Sequence, residues 1–196
     1  MNYMYIDIET CPLSLEGYDL KSEEDRLKLI NPIDSKVVAI GIKETNKESI
    51  IIMNQDQEKT MLIDFWKRLS IFKKENPGSS GGVIVGFNIK SFDMSFLVSR
   101  SFINRVPIYP FCLKEIMDLR EYLTCFRYGK SRGTLKDFGK AIGVKTIEDT
   151  DGSDIANLCS SKDYTKISTY LLKDLELTEE VHKVVIELGI DKIRQW

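Results

Sequence analysis

Hydrophobic and polar positions alternate along the first stretch of the chain, Tyr3–Thr10, as they do in a half-buried β-strand. Successive residues of a strand point to opposite faces, so Ile6 and Ile8 are expected to face a core while Asp7 and Glu9 share the other side. Two carboxylates about 6–7 Å apart repel each other and are costly to desolvate unless a cation neutralises them. The pattern therefore predicts a divalent-metal site on the first strand.

The remaining periodicity predicts strands and helices that end at proline, glycine or polar turns. Cys11-Pro12 is expected to end the first strand, because proline cannot donate a ladder hydrogen bond. Further strands are predicted at residues 36–43, 49–53, 83–87 and 115–119. Helices are predicted over 22–30, over 58–74, from Ser91 as N-cap to about Asn104, from Thr134 to Gly143, after Ser153, and from Asp163 to Leu188. This order predicts one α/β domain, residues 1–196, with a mixed sheet.

Composition and charge are those of an ordinary globular protein, with 196 residues, 42% apolar and 30% charged. No apolar run reaches the length of a membrane span and no signal-peptide pattern opens the chain, so we expect a cytoplasmic protein without membrane contact. Four scattered cysteines and one histidine, His182, argue against a structural zinc site and favour reduced thiols. His182 is expected on the surface. The net charge of −2 does not point to nucleic acid.

Other acids fall where open α/β sheets place functional sites. Asp93 follows the predicted fourth strand in the first turn of a helix, where the positive helix end favours an anion. Tyr170 and Asp174 are four residues apart, which puts them on one face of the final helix. Taken alone, they fit a packing tyrosine and a solvated acid better than a site. Asp-x-Glu spacing alone is also not distinctive, since it recurs at Asp56-Gln57-Glu58 and Asp174-Leu175-Glu176.

Taken together, these acids and the tyrosine resemble the DEDD superfamily of 3′–5′ exonucleases. The resemblance rests on Asp7-Ile8-Glu9-Thr10, Asn88-x-x-x-Phe92-Asp93-x-x-Phe96-Leu97 and Tyr170-x-x-x-Asp174-x-x-x-Thr178, with smaller pieces at Asp118-Leu119-Arg120 and Leu135-Lys136-Asp137-Phe138. The tyrosine indicates the DEDDy branch, which includes the proofreading domains of family B DNA polymerases, their stand-alone relatives and RNase D-like enzymes. The similarity spans nearly the whole chain and leaves no room for a polymerase domain.

The resemblance implies a ribonuclease H-like mixed five-stranded sheet, with three antiparallel strands followed by two parallel ones and flanking helices. It also implies two Mg²⁺ or Mn²⁺ ions, which prefer oxygen ligands and sit about 3.5–4 Å apart in two-metal sites. By resemblance, Asp7 bridges both ions, Glu9 and Asp174 complete the site that holds the attacking water, Asp93 serves the second ion, and Tyr170 positions that water.

The implied substrate is the 3′ end of single-stranded DNA, with release of nucleoside monophosphates. RNA trimming is an alternative, and so is an inactive ribonuclease H-like module that binds nucleic acid or protein; a chance match in a metal-binding protein is the remotest. Protein partners are left open. Candidate substrate contacts, chosen by position near the scissile end or by basic charge, are Ile8, Thr10, Asn88, Phe92, Arg127, Lys130, Arg132 and Lys136. The basic residues among them fit a solvated helix face equally well.

Overall fold

One mixed sheet forms the centre of the molecule. The computed structural model describes residues 1–54, 57–78, 82–127, 133–144 and 155–194. Within these residues the sheet has the order β3-β2-β1-β4-β5, in which β1, β2 and β3 are antiparallel and β4 and β5 run parallel to β1. The prediction of an α/β fold with three antiparallel and two parallel strands is confirmed. The strands are β1 Asn2–Pro12, β2 Ser35–Glu44, β3 Ile50–Ile52, β4 Gly82–Gly86 and β5 Ile116–Asp118.

Helices cover both faces of this sheet. Those in the described residues are α1 Glu23–Lys28, α2 Glu58–Glu75, α3 Asp93–Ile103, α4 Leu119–Leu123, α5 Leu135–Ala141, α6 Ile155–Ser160 and α7 Tyr164–Glu187. Six of them match a predicted helix, although Ser153 itself lies outside the described residues, whereas α4 has no counterpart in the prediction. None of the helices in the described part is both long and apolar enough to cross a membrane.

The two faces of β1 contact different helical layers. Its even-numbered residues, including Met4 and Ile6, pack against α2 and α3 in the larger core cluster. On the other face, Tyr5 packs with Leu175 and Val181 of α7. The alternation of side chains along β1 therefore decides which of them contact α7. Asp7 and Glu9 lie two and four residues after Tyr5, so they are on the same face of the strand as Tyr5.

β1 continues beyond the strand beside it. It pairs with β4 only as far as Tyr5, but with β2 as far as Pro12, which lies opposite Ser35. The strand ends at Pro12 as predicted, but Cys11 and Pro12 themselves still pair with β2. Proline lacks only the donor N–H, and at the last residue of a strand with a single neighbour that loss is tolerated. From Ile6 onward, one edge of β1 is left without a strand neighbour.

A turn between β4 and α3 fills the space at this open edge. Buried Asp118 accepts hydrogen bonds from the backbone N–H groups of Asn88 (2.9 Å) and Lys90 (3.1 Å), which holds the turn. Because the turn extends through Ser91, the helix begins only at Asp93, with Phe92 as N-cap and no side-chain capping bond. The prediction that Ser91 caps this helix is therefore wrong.

His182 is also not where the sequence placed it. It is 2% exposed, and its Nδ1 lies 2.9 Å from the Tyr5 hydroxyl oxygen. Burial lowers the pKa of His182 to about 4, so the ring is neutral near pH 7. The surface prediction fails because the position falls within the stripe of α7 that faces the sheet, alongside Val181 and Val185.

Gly41 allows α7 to approach the sheet closely. It lies opposite Asp7 in the β1–β2 pairing. A Cβ added there would lie 2.8 Å from Leu175 Cδ1 and 2.9 Å from Leu171 Cγ. The close packing of α7 beside Asp7 therefore requires a residue without a side chain at this position.

We predict that Gly41→Val lowers the free energy of unfolding by about 1–3 kcal/mol, because the added methyl groups overpack against two leucines. Gly41→Ala should cost less, since the end of the Leu175 side chain can move. Urea denaturation measures both effects. Shortening Leu175 to alanine should recover part of the loss in the valine variant, and strictly additive costs would contradict the proposed contact.

Candidate functional site

Three carboxylates meet where β1 and α7 cross. Ligand oxygens of Asp7, Glu9 and Asp174 all lie within 4.8 Å of one another. Asp7 and Glu9 share one face of β1 because they are two residues apart, and Asp174 is presented by the facing side of α7. Apolar contacts of Leu171 and Leu175 with the sheet hold the helix in place. Residues far apart in the chain thus form one acidic cluster.

Asp93 approaches this cluster from the other helical layer. It is the first residue of α3, 2% exposed, and its Oδ1 accepts a hydrogen bond from the backbone N–H of Ile8 (3.0 Å). That N–H is available because β4 stops pairing with β1 at Tyr5. The charge of Asp93 raises the pKa of both Asp7 and Glu9. The open edge of β1 therefore brings the fourth acid next to the other three.

Burial and mutual repulsion make these acids reluctant to ionise. Burial first, and then the charges of Asp93, Glu9 and Asp174, raise the pKa of Asp7 well above its usual range. The same causes, burial and then Asp174 and Asp93, raise the pKa of Glu9. The pKa of Asp93 is raised to about 7, chiefly by burial. A divalent cation would relieve this repulsion, and a donor set made only of carboxylate oxygens fits Mg²⁺ or Mn²⁺.

Tyr170 and Lys136 border the acidic cluster. The Tyr170 hydroxyl donates a hydrogen bond to the Asp174 carboxylate; burial, and then the charges of Asp174 and Glu9, raise its pKa. The phenol therefore stays protonated. Lys136 Nζ lies 4.8 Å from the centroid of the Tyr170 ring. Its positive charge offsets part of the rise in the pKa of Glu9. This lysine is thus a positive charge beside an otherwise negative site.

A cavity of about 670 Å³ opens beside Glu9. Its lining includes three of the predicted substrate contacts, Ile8, Thr10 and Phe92. The other walls come from the connection between β1 and β2 and from α6, and include Tyr18, Arg26, Leu27, Ile30, Ile155 and Ala156. No local pattern predicts these walls, because only the tertiary fold brings α6 and this connection to the strand. The walls are mainly apolar, which suits a flat or aromatic group.

The other predicted substrate contacts lie elsewhere. The Asn88 side-chain oxygen accepts a hydrogen bond from Arg120 Nη1 (3.0 Å), so this amide helps to close the turn before α3. Arg127 is exposed in the segment that follows α4. Lys130 and Arg132 lie outside the described residues. Of the two basic candidates within the described residues, Arg127 and Lys136, it is Lys136 that lies beside the acids.

Comparisons with known proteins point to one family. Residues 11–123, more than half of the chain, match the family model described as the exonuclease domain of DNA polymerase family B. This stretch contains Asp93, whereas the β1 acids and the α7 pair lie outside it. An uncharacterized protein of Methanocaldococcus jannaschii is 32% identical over 171 residues, which cover 82% of this chain and 92% of that protein.

The fold comparison agrees with the family match. The family B DNA polymerase from the hyperthermophilic archaeon Pyrobaculum calidifontis is structurally similar, with a TM-score of 0.66 and 17% sequence identity. The similarity covers 97% of this chain but 25% of the polymerase chain. At this identity the comparison speaks for the fold, and the chain spans about a quarter of the polymerase's length.

We predict that Asp7→Asn stabilises the metal-free protein, because asparagine keeps the shape of the side chain and removes one buried negative charge. In EDTA at pH 8 the gain should be about 1–2 kcal/mol, or roughly 2–8 °C in Tm for a chain of this size. Thermal unfolding followed by circular dichroism measures the difference.

The gain should depend on pH. The pKa of Asp7 is raised in the folded state, so the folded protein is most stable at low pH, where Asp7 is protonated. This stability is lost as the pH rises through the raised pKa. The advantage of Asp7→Asn should therefore be larger at pH 8 than at pH 5.5. Asp64→Asn, which removes an exposed charge from α2 in the opposite layer, is the matched control. A destabilised Asp7→Asn protein at pH 8 would contradict the interpretation.

Proposed function

Because the chain belongs to the family of exonuclease domains of family B DNA polymerases, we propose that it is a metal-dependent 3′–5′ exonuclease acting on single-stranded DNA. Membership of this family supports a nuclease activity. The observation that carries the finer proposal is the convergence of Asp7, Glu9 and Asp174 within 4.8 Å beside a largely apolar cavity. Asp93 joins them through its bond to the strand backbone.

In this proposal Asp7, Glu9, Asp93 and Asp174 hold two Mg²⁺ or Mn²⁺ ions. When bound, such ions activate a water for attack on phosphorus and stabilise the departing 3′ oxygen. The carboxylates suit this task because their oxygens are hard ligands and because Asp7, Glu9 and Asp174 already share one cluster. Hydrolysis then releases a nucleoside 5′-monophosphate and leaves a new 3′ hydroxyl on the shortened strand.

Tyr170 and Lys136 orient the attacking water and bind the substrate phosphate. The Tyr170 hydroxyl donates a hydrogen bond to Asp174, and its oxygen can accept a hydrogen bond from the attacking water. The Lys136 ammonium offers a positive charge to a phosphate oxygen next to Glu9. These are preorganised contacts at the place where negative charge develops during hydrolysis.

The cavity favours an unpaired terminal nucleotide. Phe92 and Ile8 present apolar surface next to Glu9, and a base freed from its partner can stack on such walls regardless of its identity. DNA is proposed as the substrate because the family is that of DNA polymerase domains. RNA remains the alternative, since both polymers offer the same phosphodiester and the same stacking faces.

We expect 5′-labelled single-stranded DNA to be shortened stepwise from its 3′ end with Mg²⁺ or Mn²⁺. Asp7→Asn and Asp174→Asn should each lower kcat at least about 100-fold, because each removes a proposed ligand. Gel analysis of product ladders, with matched single-stranded RNA and duplex DNA, measures polarity and preference.

Different outcomes separate the alternatives. Faster shortening of RNA would replace the DNA proposal by the RNA one. Binding of either polymer without shortening, under any tested metal, would favour an inactive binding module. Shortening that persists in both aspartate variants would contradict the proposed site.

We also expect Lys136→Met to lower kcat by roughly 10–100-fold, because methionine keeps the length of the side chain but removes its charge from the site. Lys140→Met is the matched control, since Lys140 is exposed one turn further along α5. Single-turnover kinetics at saturating DNA separates this effect from binding. Equal losses in the two variants would assign Lys136 to general attraction of DNA.

A further inference from the structure

Two polar contacts join α7 to the sheet at the end remote from the acids. The Tyr5 hydroxyl lies 2.9 Å from His182 Nδ1, and both side chains are buried. Lys43 Nζ lies 2.6 Å from a Glu179 carboxylate oxygen, with the two side chains 20% and 18% exposed. Tyr5 and Lys43 are cross-strand neighbours in the β1–β2 pairing. Their partners are three residues apart on one side of α7.

The Tyr5–His182 contact joins β1 and α7, the two elements that carry Asp7, Glu9 and Asp174, and Lys43 lies on the neighbouring strand β2. On β1, Tyr5 precedes Glu9 by four residues, a rise of about 13 Å along a strand. On α7, Asp174 precedes His182 by eight residues, a rise of about 12 Å along a helix. The two distances nearly match. Fixing His182 against Tyr5 therefore brings Asp174 to the level of Glu9.

The other contacts between α7 and the sheet do not fix this register. Leu171, Leu175, Val181 and Val185 present apolar surface, whose burial is favourable but non-directional. Such packing tolerates small shifts along the helix axis better than hydrogen bonds and buried ion pairs do, because these require their partners within about 3 Å. The close approach at Gly41 sets the distance between α7 and the sheet, whereas the two polar contacts concern the position of the helix along its own axis.

We propose that Tyr5, Lys43, Glu179 and His182 form a positioning clamp, which sets the register of α7 on the sheet and so the separation of Asp174 from Asp7 and Glu9. The clamp residues do not touch the acids. They act through the helix and the strand. The inference rests on the proposed function only in taking the acidic cluster as the metal site.

The clamp predicts weaker metal binding when its polar contacts are removed. In the double variant Tyr5→Phe, Lys43→Met, phenylalanine keeps the aromatic ring and methionine keeps the length of the side chain. The hydrogen bond to His182 and the ion pair with Glu179 are lost. We expect Mn²⁺ affinity to fall roughly tenfold, as it does when supporting contacts of metal ligands are removed. Loss of free Mn²⁺ signal in electron paramagnetic resonance measures this without any assay of activity.

The direction of the change in Mn²⁺ affinity distinguishes displacement of the ligands from a change in local charge. Lys43→Met alone removes a positive charge, which by Coulomb's law would strengthen the binding of a cation. Weaker binding in this variant therefore reports displacement of the ligands. Lys43→Arg keeps an ion pair with Glu179 and should retain affinity close to that of the wild type.

Ser101→Ala is the control for general destabilisation. It removes the buried 2.7 Å hydrogen bond from Trp66 Nε1 in the opposite helical layer. It should lower stability without changing Mn²⁺ affinity. In the clamp variants, kcat at limiting Mn²⁺ should fall and recover at high Mn²⁺, while KM for DNA stays constant.

Three results would overturn the clamp. They are wild-type Mn²⁺ affinity in the Tyr5→Phe, Lys43→Met protein, stronger binding in Lys43→Met, and equal weakening in Ser101→Ala. A wild-type protein that binds no Mn²⁺ would instead overturn the proposed metal site, and the clamp with it. The failure of the clamp alone and the failure of the function thus give different measurements.

Discussion

The mutual repulsion of Asp7, Glu9 and Asp174 is the constraint on which the rest of the structure depends. Their oxygens lie within 4.8 Å of one another, and burial raises the cost of ionising them together. The three carboxylates repel one another, so the packing around them has to hold them together. Leu171 and Leu175 supply that packing by burying their side chains against the sheet at Gly41. The acids are therefore held together by residues that take no part in their chemistry.

The sheet topology serves the same constraint from the other side. Because β4 stops at Gly86 while β1 continues to Pro12, the N–H of Ile8 is left for a side chain to use. Asp93 takes that N–H at the first residue of α3, and the Asp118 side chain fixes the turn that leads to it. One unpaired strand edge thus connects the two helical layers at the site. Three further residue pairs between β1 and β4 in the same register would reach Ile8 and close this position.

Sequence periodicity predicted the strands and the faces that the acids share, and the family resemblance implied the order of the sheet, but neither predicted everything around the acids. Two-residue spacing placed Asp7 and Glu9 on one face, and four-residue spacing placed Tyr170 beside Asp174, because both depend on local geometry alone. The cavity walls at Tyr18 and Ile155 depend on long-range packing, which no local pattern reports. His182 was recoverable: it lies among the apolar positions of α7, and that periodicity outweighs its polar character.

The position of His182 also bears on how such a site can be both strained and well defined. Bound metal ions would relieve the repulsion among the acids, so under this proposal the metal-free protein has to maintain the ligand geometry against that repulsion. Contacts within the cluster cannot do this, since changing them changes the ligands. Tyr5 lies on the strand that carries Asp7 and Glu9, Lys43 lies opposite it on β2, and their partners on α7 are His182 and Glu179. Polar contacts there can fix the helix register without adding charge or competing donors to the metal site, and this explains why a neutral, buried histidine is placed at that end of α7.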